Sequence, residues 1–392
     1  MTIETNGTPT SALHQWDVSN KRILLRADLN MPIDKGNVLD TFRLERLLPT
    51  IKTILQRGGS ITLMTHIGRP TQPNPSLSTR ILEPYFAKYG VPVSFAPTIE
   101  QAITDTAPVV LLENLRFFPG EKDRDPNFAQ QLAHLGDYYV NDAFGALHRN
   151  DASLTLVPQL FSPEHRTIGL LVEQELATLK ALLMPPRQPL CVVLGGGKVA
   201  DKIPFISYLL ATAHTILLCP AIALTFVKAL GKPVGKSLVE EESVDLCKQI
   251  LANADKRGVA IMLPTDYQIT RGSLDGALEY VGANVMPDDG IAISLGPETI
   301  AHYADQISRA QTTLFNGAVG FLNKPKTLDG VKALCSTMAQ APGESVIAGG
   351  DAVAAARVLG CAENITFLST GGGATLAYLS GQPLPALEFL KD

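Results

Sequence analysis

Short apolar runs alternate with stretches of helical periodicity along almost the whole chain, and that rhythm is how repeated βα units appear in sequence. In the first half, Ile23–Ala27, Ile61–Thr65, Val91–Phe95, Val109–Leu112 and Tyr138–Val140 read as strands. In the second half, Leu190–Leu194, Thr215–Leu218, Val259–Leu263, Ile291–Leu295, Thr312–Phe315, Ser345–Ala348 and Ile365–Leu368 do so. Helical spacing covers Arg43–Gln56, Asn127–Leu135, Asp201–Leu210, Val244–Arg257, Pro297–Ala310 and Ala352–Leu359 in the same way.

The expected fold is therefore α/β, with enough strands for two parallel sheets, each covered on both faces; one continuous sheet of so many strands is the less attractive alternative. Val172–Leu183 has leucines at helical spacing, and Pro185, Pro186 and Pro189 then stop it, which makes a helix and stiff connector between two halves of similar size. The domains expected are 1–170, an interdomain helix and hinge at 171–188, a second domain at 189–380, and a tail at 381–392 too short to fold alone.

Composition narrows the classes. The chain of 392 residues accommodates two domains of about 100–200 residues each. Its net charge of −5 gives no general attraction to nucleic acid or anionic membrane, so any anion site must be local. Five dispersed cysteines without a CxxC pair read as reduced thiols, which points to the cytoplasm. Met1–Gln15 is polar and carries Glu4; it reads as a disordered leader, not a targeting peptide. No uncharged apolar run reaches the ~18 residues of a membrane span.

The segment Leu190-Cys-Val-Val-Leu-Gly-Gly-Gly-Lys-Val-Ala-Asp-Lys202 reads as strand, glycine turn and helix. Glycines let a ligand approach the backbone closely. Lys198 and Lys202, four apart, would share one face of a helix, and free N–H groups at the helix start suit a phosphate. Val199 follows the lysine where a Walker A loop needs Ser or Thr. The bland alternative is a strand-to-helix turn with solvated lysines.

In open α/β sheets ligands bind beyond the carboxyl ends of strands, and those ends carry unusual residues here. Arg26, Asp28, Asn30 and Pro32 surround the first, with Arg43 beginning the next helix. His66-Ile-Gly-Arg-Pro70 follows the second, Glu113-Asn-Leu-Arg116 the fourth, and Asn141-Asp-Ala-Phe-Gly145 with His148-Arg149 the fifth. Singly, each arginine reads as a surface or salt-bridge residue and His66 as a structural one. Together Arg43, Arg69, Arg116, Arg149 and the histidines suggest a pocket for a small molecule carrying phosphate and carboxylate. The second half offers backbone instead: Gly195–Gly197, Asn316-Gly317, Gly349-Gly350-Asp351, and Ser369-Thr370-Gly371-Gly372-Gly373-Ala374. Such turns can cradle a polyphosphate. Asp351 suits Mg²⁺, and it also suits a helix N-cap. An acceptor pocket on one domain facing a polyphosphate cradle on the other implies phosphoryl transfer across a hinged cleft. No GxGxxG with a following acidic residue marks the first βα unit, which weighs against a dinucleotide dehydrogenase.

These motifs, in order from about Lys21 to the C-terminus, closely resemble phosphoglycerate kinase. The resemblance implies two Rossmann-like domains joined by an interdomain helix, with the C-terminal tail returning to the N-domain, and a monomer. It implies a cytoplasmic enzyme that reversibly transfers a phosphoryl group between 1,3-bisphosphoglycerate and ADP, giving 3-phosphoglycerate and ATP with Mg²⁺. By motif position, Asp28, Asn30, Arg43, His66, Arg69, Arg116 and Arg149 would bind 3-phosphoglycerate. Arg43 would stabilise the transferring group and Lys202 would follow it in transit. Gly196, Lys198, Lys202, Asn316, Gly349, Gly350, Asp351 and Thr370 would serve the nucleotide, with Asp351 on the metal and the Gly371–Gly373 amides, Gly371 and Gly372 foremost, supporting the transition state.

Three departures from the family pattern cluster on the nucleoside side. Cys219-Pro220-Ala221 replaces a glycine triplet, Asn323 replaces a glutamate expected on the ribose, and Ala352 replaces a threonine beside the phosphates. Two readings follow: an active kinase with an atypical nucleoside pocket, or an impaired homologue that binds phosphoglycerate as a binding or regulatory protein.

Overall fold

The computed structural model describes residues 9–197, 199–317 and 319–390; Lys198 lies outside them. The chain forms two compact units: one runs to Thr178 and takes in the chain from Gly381 on, the other spans Leu179–Ser380.

In the first unit, six strands make one parallel sheet: β1 (Arg22–Ala27), β2 (Ser60–Met64), β3 (Ser94–Ala96), β4 (Val109–Leu112), β5 (Tyr138–Asp142) and β6 (Arg166–Ile168), in the order β3-β4-β2-β1-β5-β6. Near-continuous burial of β1, β4 and β5 is what parallel strands require. The chain leaves β1 toward β2 and returns on the other side as β5, so the crevice beyond β1 and β5 is the switch point of the sheet. Helix α1 (Phe42–Gln56) buries Leu44, Leu47, Leu48, Ile51 and Ile54 against it, the i, i+3, i+4 stripe of a core-facing helix.

Helix α2 (Leu170–Leu183) contains the division between the units. Its start is held from below by Asp142, at the end of β5, whose Oδ1 accepts from the Val172 N–H at 3.0 Å. Gly169 is what lets the chain pass: a Cβ there would lie 2.2 Å from the Asp142 carboxyl carbon.

In the second unit, β7 (Leu190–Leu194), β8 (Thr215–Leu218), β9 (Ala260–Met262), β13 (Thr312–Asn316), β14 (Glu344–Ala348) and β15 (Phe367–Ser369) form a parallel sheet, ordered β9-β8-β7-β13-β14-β15. Its switch point lies between β7 and β13. Between β9 and β13 the chain builds a separate antiparallel sheet from β10 (Asp266–Arg271), β11 (Glu279–Gly282) and β12 (Gly290–Leu295).

That third sheet corrects the sequence reading, which placed Ile291–Leu295 in a parallel sheet. β10 and β11 were not foreseen; β11 alternates between half-buried and exposed and so shows no apolar run. The expected disordered leader, Met1–Gln15, is corrected for residues 9–15, while residues 1–8 lie outside the described residues. Within it, Ser11 Oγ donates to the Ile168 carbonyl at 2.7 Å, the Ala12 N–H donates to Thr167 Oγ1 at 2.9 Å, and Leu13 is fully buried. In the tail, Leu384, Ala386, Leu387 and Leu390 are buried, and the Ala386 N–H donates to the Leu147 carbonyl at 3.2 Å.

Burial pushes Asp142 up to about 6, against the hydrogen bonds from Thr50, Val172 and Leu171. Its folded value lies above its unfolded one, so between about pH 4 and 6 the folded chain holds a proton that the unfolded chain has released. The stability this group contributes therefore falls as pH rises through that window. Denaturant unfolding should show the parent losing up to about 3 kcal/mol relative to Asp142→Asn between about pH 4 and pH 7; a difference constant with pH would contradict the assignment.

Candidate functional site

In the first unit the carboxyl ends of β1, β2, β4 and β5 converge on a cationic basin. Asp28, two residues from Arg26 and nearly buried, accepts from Arg43 at 2.5 Å. Arg43 comes from the first turn of α1. Asn30 receives the Gly68 N–H at 2.7 Å, which ties the loop after β1 to the loop after β2. Asn114 is fully buried and donates to the Ile67 and Leu77 carbonyls, both at 2.8 Å. Arg116, one 3-10 turn later, donates to the Gly68 carbonyl. Arg149 Nη1 lies 2.8 Å from His66 Nε2. Arg69 is exposed at the rim.

The electrostatics are those of cationic groups withdrawn from water and set near one another. Burial and then Arg149 lower Arg116 to about 10, with Arg26 and Arg69 adding to the effect. Arg149 is lowered by burial, opposed by Asp28 and Asp151, with Arg26 and Arg69 adding smaller contributions to the lowering. Burial followed by Arg26, Arg116, Arg149 and Arg43 holds His66 well below its ordinary value. Burial also lowers His148. Such a cluster is stabilised by an incoming anion with several oxygens.

Arg26 sits at the carboxyl end of β1, as the sequence suggested, but does not open to the basin's rim. It is fully buried, with Nε donating to Ser153 Oγ at 2.8 Å and Nη1 to the Ala27 carbonyl. Fully buried Glu121 is its counter-charge at 3.9 Å, and accepts from the Ser153 N–H and hydroxyl. The one signal for this layer was an arginine inside an apolar strand.

In the second unit the glycine turns gather at the switch point. The Gly195 N–H donates to the Asn316 carbonyl at 2.8 Å, and Asn316 Nδ2 to the Ala348 carbonyl at 3.0 Å. Gly317 has φ +100, and a Cβ there would fall 2.4 Å from the Gly195 carbonyl oxygen. The backbones after β7 and β13 thus touch. The Gly349 and Gly372 backbones also lie close, though less tightly, since a Cβ on Gly372 would be 3.3 Å from the Gly349 Cα. The Gly371 N–H donates to Ser369 Oγ at 3.2 Å, and Thr370 is buried. Lys202 Nζ lies against the Gly196 turn; burial lowers its pKa, opposed by Asp201 and Glu240.

Three expectations change here. Ala200–Lys202 is a 3-10 turn and helix α3 (Ile203–Thr212) starts only afterwards, because Pro204 belongs in a first turn. The amides expected to be free at that start are taken: Glu240 accepts from the Val199 and Ala200 N–H groups at 3.0 and 3.1 Å. Asp351 is not an N-cap. Gly349 holds that position before helix α5 (Gly350–Val358), and Asp351 is exposed in its first turn. An exposed carboxylate beside two glycines fits a divalent ion that brings phosphate oxygens with it. No group of three or more His, Cys, Asp or Glu that would hold an ion unaided occurs among the described residues.

The family model for phosphoglycerate kinase matches residues 13–382. The chain belongs to the phosphoglycerate kinase family. A phosphoglycerate kinase of Roseiflexus castenholzii is 39% identical over 390 residues, covering 96% of this chain and 98% of that protein. The cytosolic phosphoglycerate kinase of Nicotiana tabacum is 36% identical, covering 97% and 98%. A crystal structure of phosphoglycerate kinase from Pyrococcus horikoshii superposes with a TM-score of 0.84 at 26% identity, covering 97% of this chain and 98% of that one. Membership of the phosphoglycerate kinase family makes the chain a phosphotransferase.

The close approach at the switch point is testable. Gly317→Ala should lower the unfolding free energy by about 2 kcal/mol, whereas Gly197→Ala, which meets nothing within 4 Å, should change it by less than about 0.5 kcal/mol. Equal effects in denaturant titrations would contradict the backbone contact.

Proposed function

We propose that this chain catalyses the reversible transfer of a phosphoryl group between the carboxyl group of 3-phosphoglycerate and a nucleoside diphosphate. The observation that carries the reading is the gathering of Arg43, Arg69, Arg116 and Arg149 around His66, with burial and neighbouring arginines lowering Arg116, Arg149 and His66, as suits a site for a small polyanion. In this reading, Asp28 and Asn30 fix the loops and orient the acid, His66 and the arginines hold its phosphate and carboxylate, and Arg43 offsets the charge that develops on the group in flight. Lys202, beside the Gly196 turn, follows that group. Gly371 and Gly372, with Asn316, Gly349, Gly350 and Thr370, present backbone and side-chain groups to the polyphosphate. Lys198 belongs to the same set by motif.

Asp351 would hold Mg²⁺, which neutralises phosphate charge when bound with the nucleotide. In-line transfer needs both sets of groups around one phosphorus atom, and bending about α2 is the motion assigned to that step. A cytoplasmic, monomeric protein acting on small molecules completes the reading. No described helix is long and apolar enough to cross a membrane.

The nucleoside side is atypical. Pro220 is buried at the first position of helix α4 (Pro220–Ala229), with buried Cys219 as its N-cap residue. Ala352 is buried and Asn323 exposed. Each missing neutral hydrogen bond to nucleotide costs about 0.5–1.5 kcal/mol, so affinity should be lower by up to roughly two orders of magnitude, with transfer retained. The impaired-homologue reading draws on these same positions.

A coupled assay with 3-phosphoglycerate, Mg²⁺ and a panel of nucleoside triphosphates decides between them. Turnover with a raised nucleotide KM is expected. Binding of 3-phosphoglycerate without turnover on any nucleotide would leave the binding-protein reading. In the same assay Arg43→Ala and Lys202→Ala should each lower kcat by about 100-fold or more, with a much smaller change in nucleotide binding for Arg43→Ala. Parallel losses in both would contradict the role given to Arg43.

A further inference from the structure

Both ring nitrogens of His66 face guanidinium donors. Arg149 Nη1 lies 2.8 Å from Nε2, and Arg26 Nη2 lies 3.3 Å from Nδ1. A neutral imidazole has one lone pair to offer and one N–H, and the ring is neutral here because burial and the surrounding arginines disfavour its protonated form. Only one of the two contacts can be a hydrogen bond at a time; the other sets donor against donor. The shorter contact gives the lone pair to Nε2, which leaves Nδ1–H pointing at Arg26.

The two arginines differ in freedom. Arg26 is fully buried and fixed at three points: Ser153 Oγ at 2.8 Å, the Ala27 carbonyl, and Glu121 at 3.9 Å. Glu121 is itself locked by the Ser153 N–H and hydroxyl at 2.9 and 2.7 Å. Arg149 is half-buried and follows the 3-10 turn Phe144–Ala146 in a loop. An anion entering the basin competes for Arg149 and leaves Arg26 where it is.

We infer that Arg26, held by Glu121 and Ser153, sets the tautomer of His66: when an anion draws Arg149 away, Arg26 claims Nδ1, so that Nε2 carries the proton and donates it to an oxygen of the bound acid. The change is an exchange of one ring proton between nitrogens through solvent, with no net uptake. Arg26 and Glu121 are positioning residues that act through His66. The inference rests on the proposed binding of 3-phosphoglycerate in this basin.

The test uses the full chain labelled with ¹⁵N-histidine, with the His66 signals assigned by their loss in His66→Gln. Long-range ¹H–¹⁵N spectra are recorded without and with saturating 3-phosphoglycerate, alongside calorimetry for the same ligand. The expected result is an unprotonated Nε2 in the free protein and an unprotonated Nδ1 in the complex. Binding with the same tautomer in both states would overturn the inference and leave the proposed function intact. Absence of binding would overturn both. Glu121→Gln keeps the side-chain volume and removes the charge that anchors Arg26. It should give mixed tautomers in the complex and raise KM for 3-phosphoglycerate about five- to tenfold, with the nucleotide KM unchanged. A variant that merely loses thermal stability, with a single bound tautomer and unaltered KM, would also overturn the inference.

Discussion

Arginines withdrawn from water and brought to one end of a parallel sheet are the constraint around which the first unit is arranged. Parallel strands put the carboxyl end of every strand on the same edge, so residues distant in sequence, Arg26, Arg43, Arg116 and Arg149, arrive within electrostatic reach of one another. Part of the charge is balanced internally, by Asp28 on Arg43 and Glu121 on Arg26. Arg116 and Arg149 are lowered by burial, with neighbouring arginines adding to it. The interior is spent on holding this arrangement: Asn114 pins two loops, and the tail supports the Leu147 carbonyl one residue before His148.

The second unit solves a related problem with backbone in place of side-chain charge. At its switch point Gly317 packs main chain on the Gly195 main chain at a distance a Cβ would forbid, and the Gly349 and Gly372 backbones lie close beside each other. One carboxylate of the chain, Glu240, occupies the amides of Val199 and Ala200, so the anion-binding capacity of that turn is already partly satisfied from within. Lys202 remains beside the glycines with a pKa lowered by burial.

Much of this was legible in the sequence. The strands Leu190–Leu194 and Val109–Leu112 match their apolar runs, and helix Val244–Arg257 matches its periodicity to the residue. The convergence of Arg43, His66, Arg116 and Arg149 followed from the rule that parallel strands share a functional edge. What escaped notice depends on contacts between residues far apart. Nothing local in Glu121, Ser153 or Glu240 marks them as partners of Arg26 or of the glycine turn. The antiparallel sheet was hidden because β11 is short and half-exposed, and β12 carries the apolar run expected of a parallel strand. The late start of α3 needed the weight of Pro204 over the lysine spacing.

The uncompensated charge of the basin is measured most directly by titrating 3-phosphoglycerate into the full chain by calorimetry at increasing salt. Affinity should fall at least tenfold between about 50 mM and about 500 mM salt, because screening acts on the cluster proposed to receive the acid. Tight binding indifferent to salt, or none at low salt, would contradict a site organised by crowded arginines.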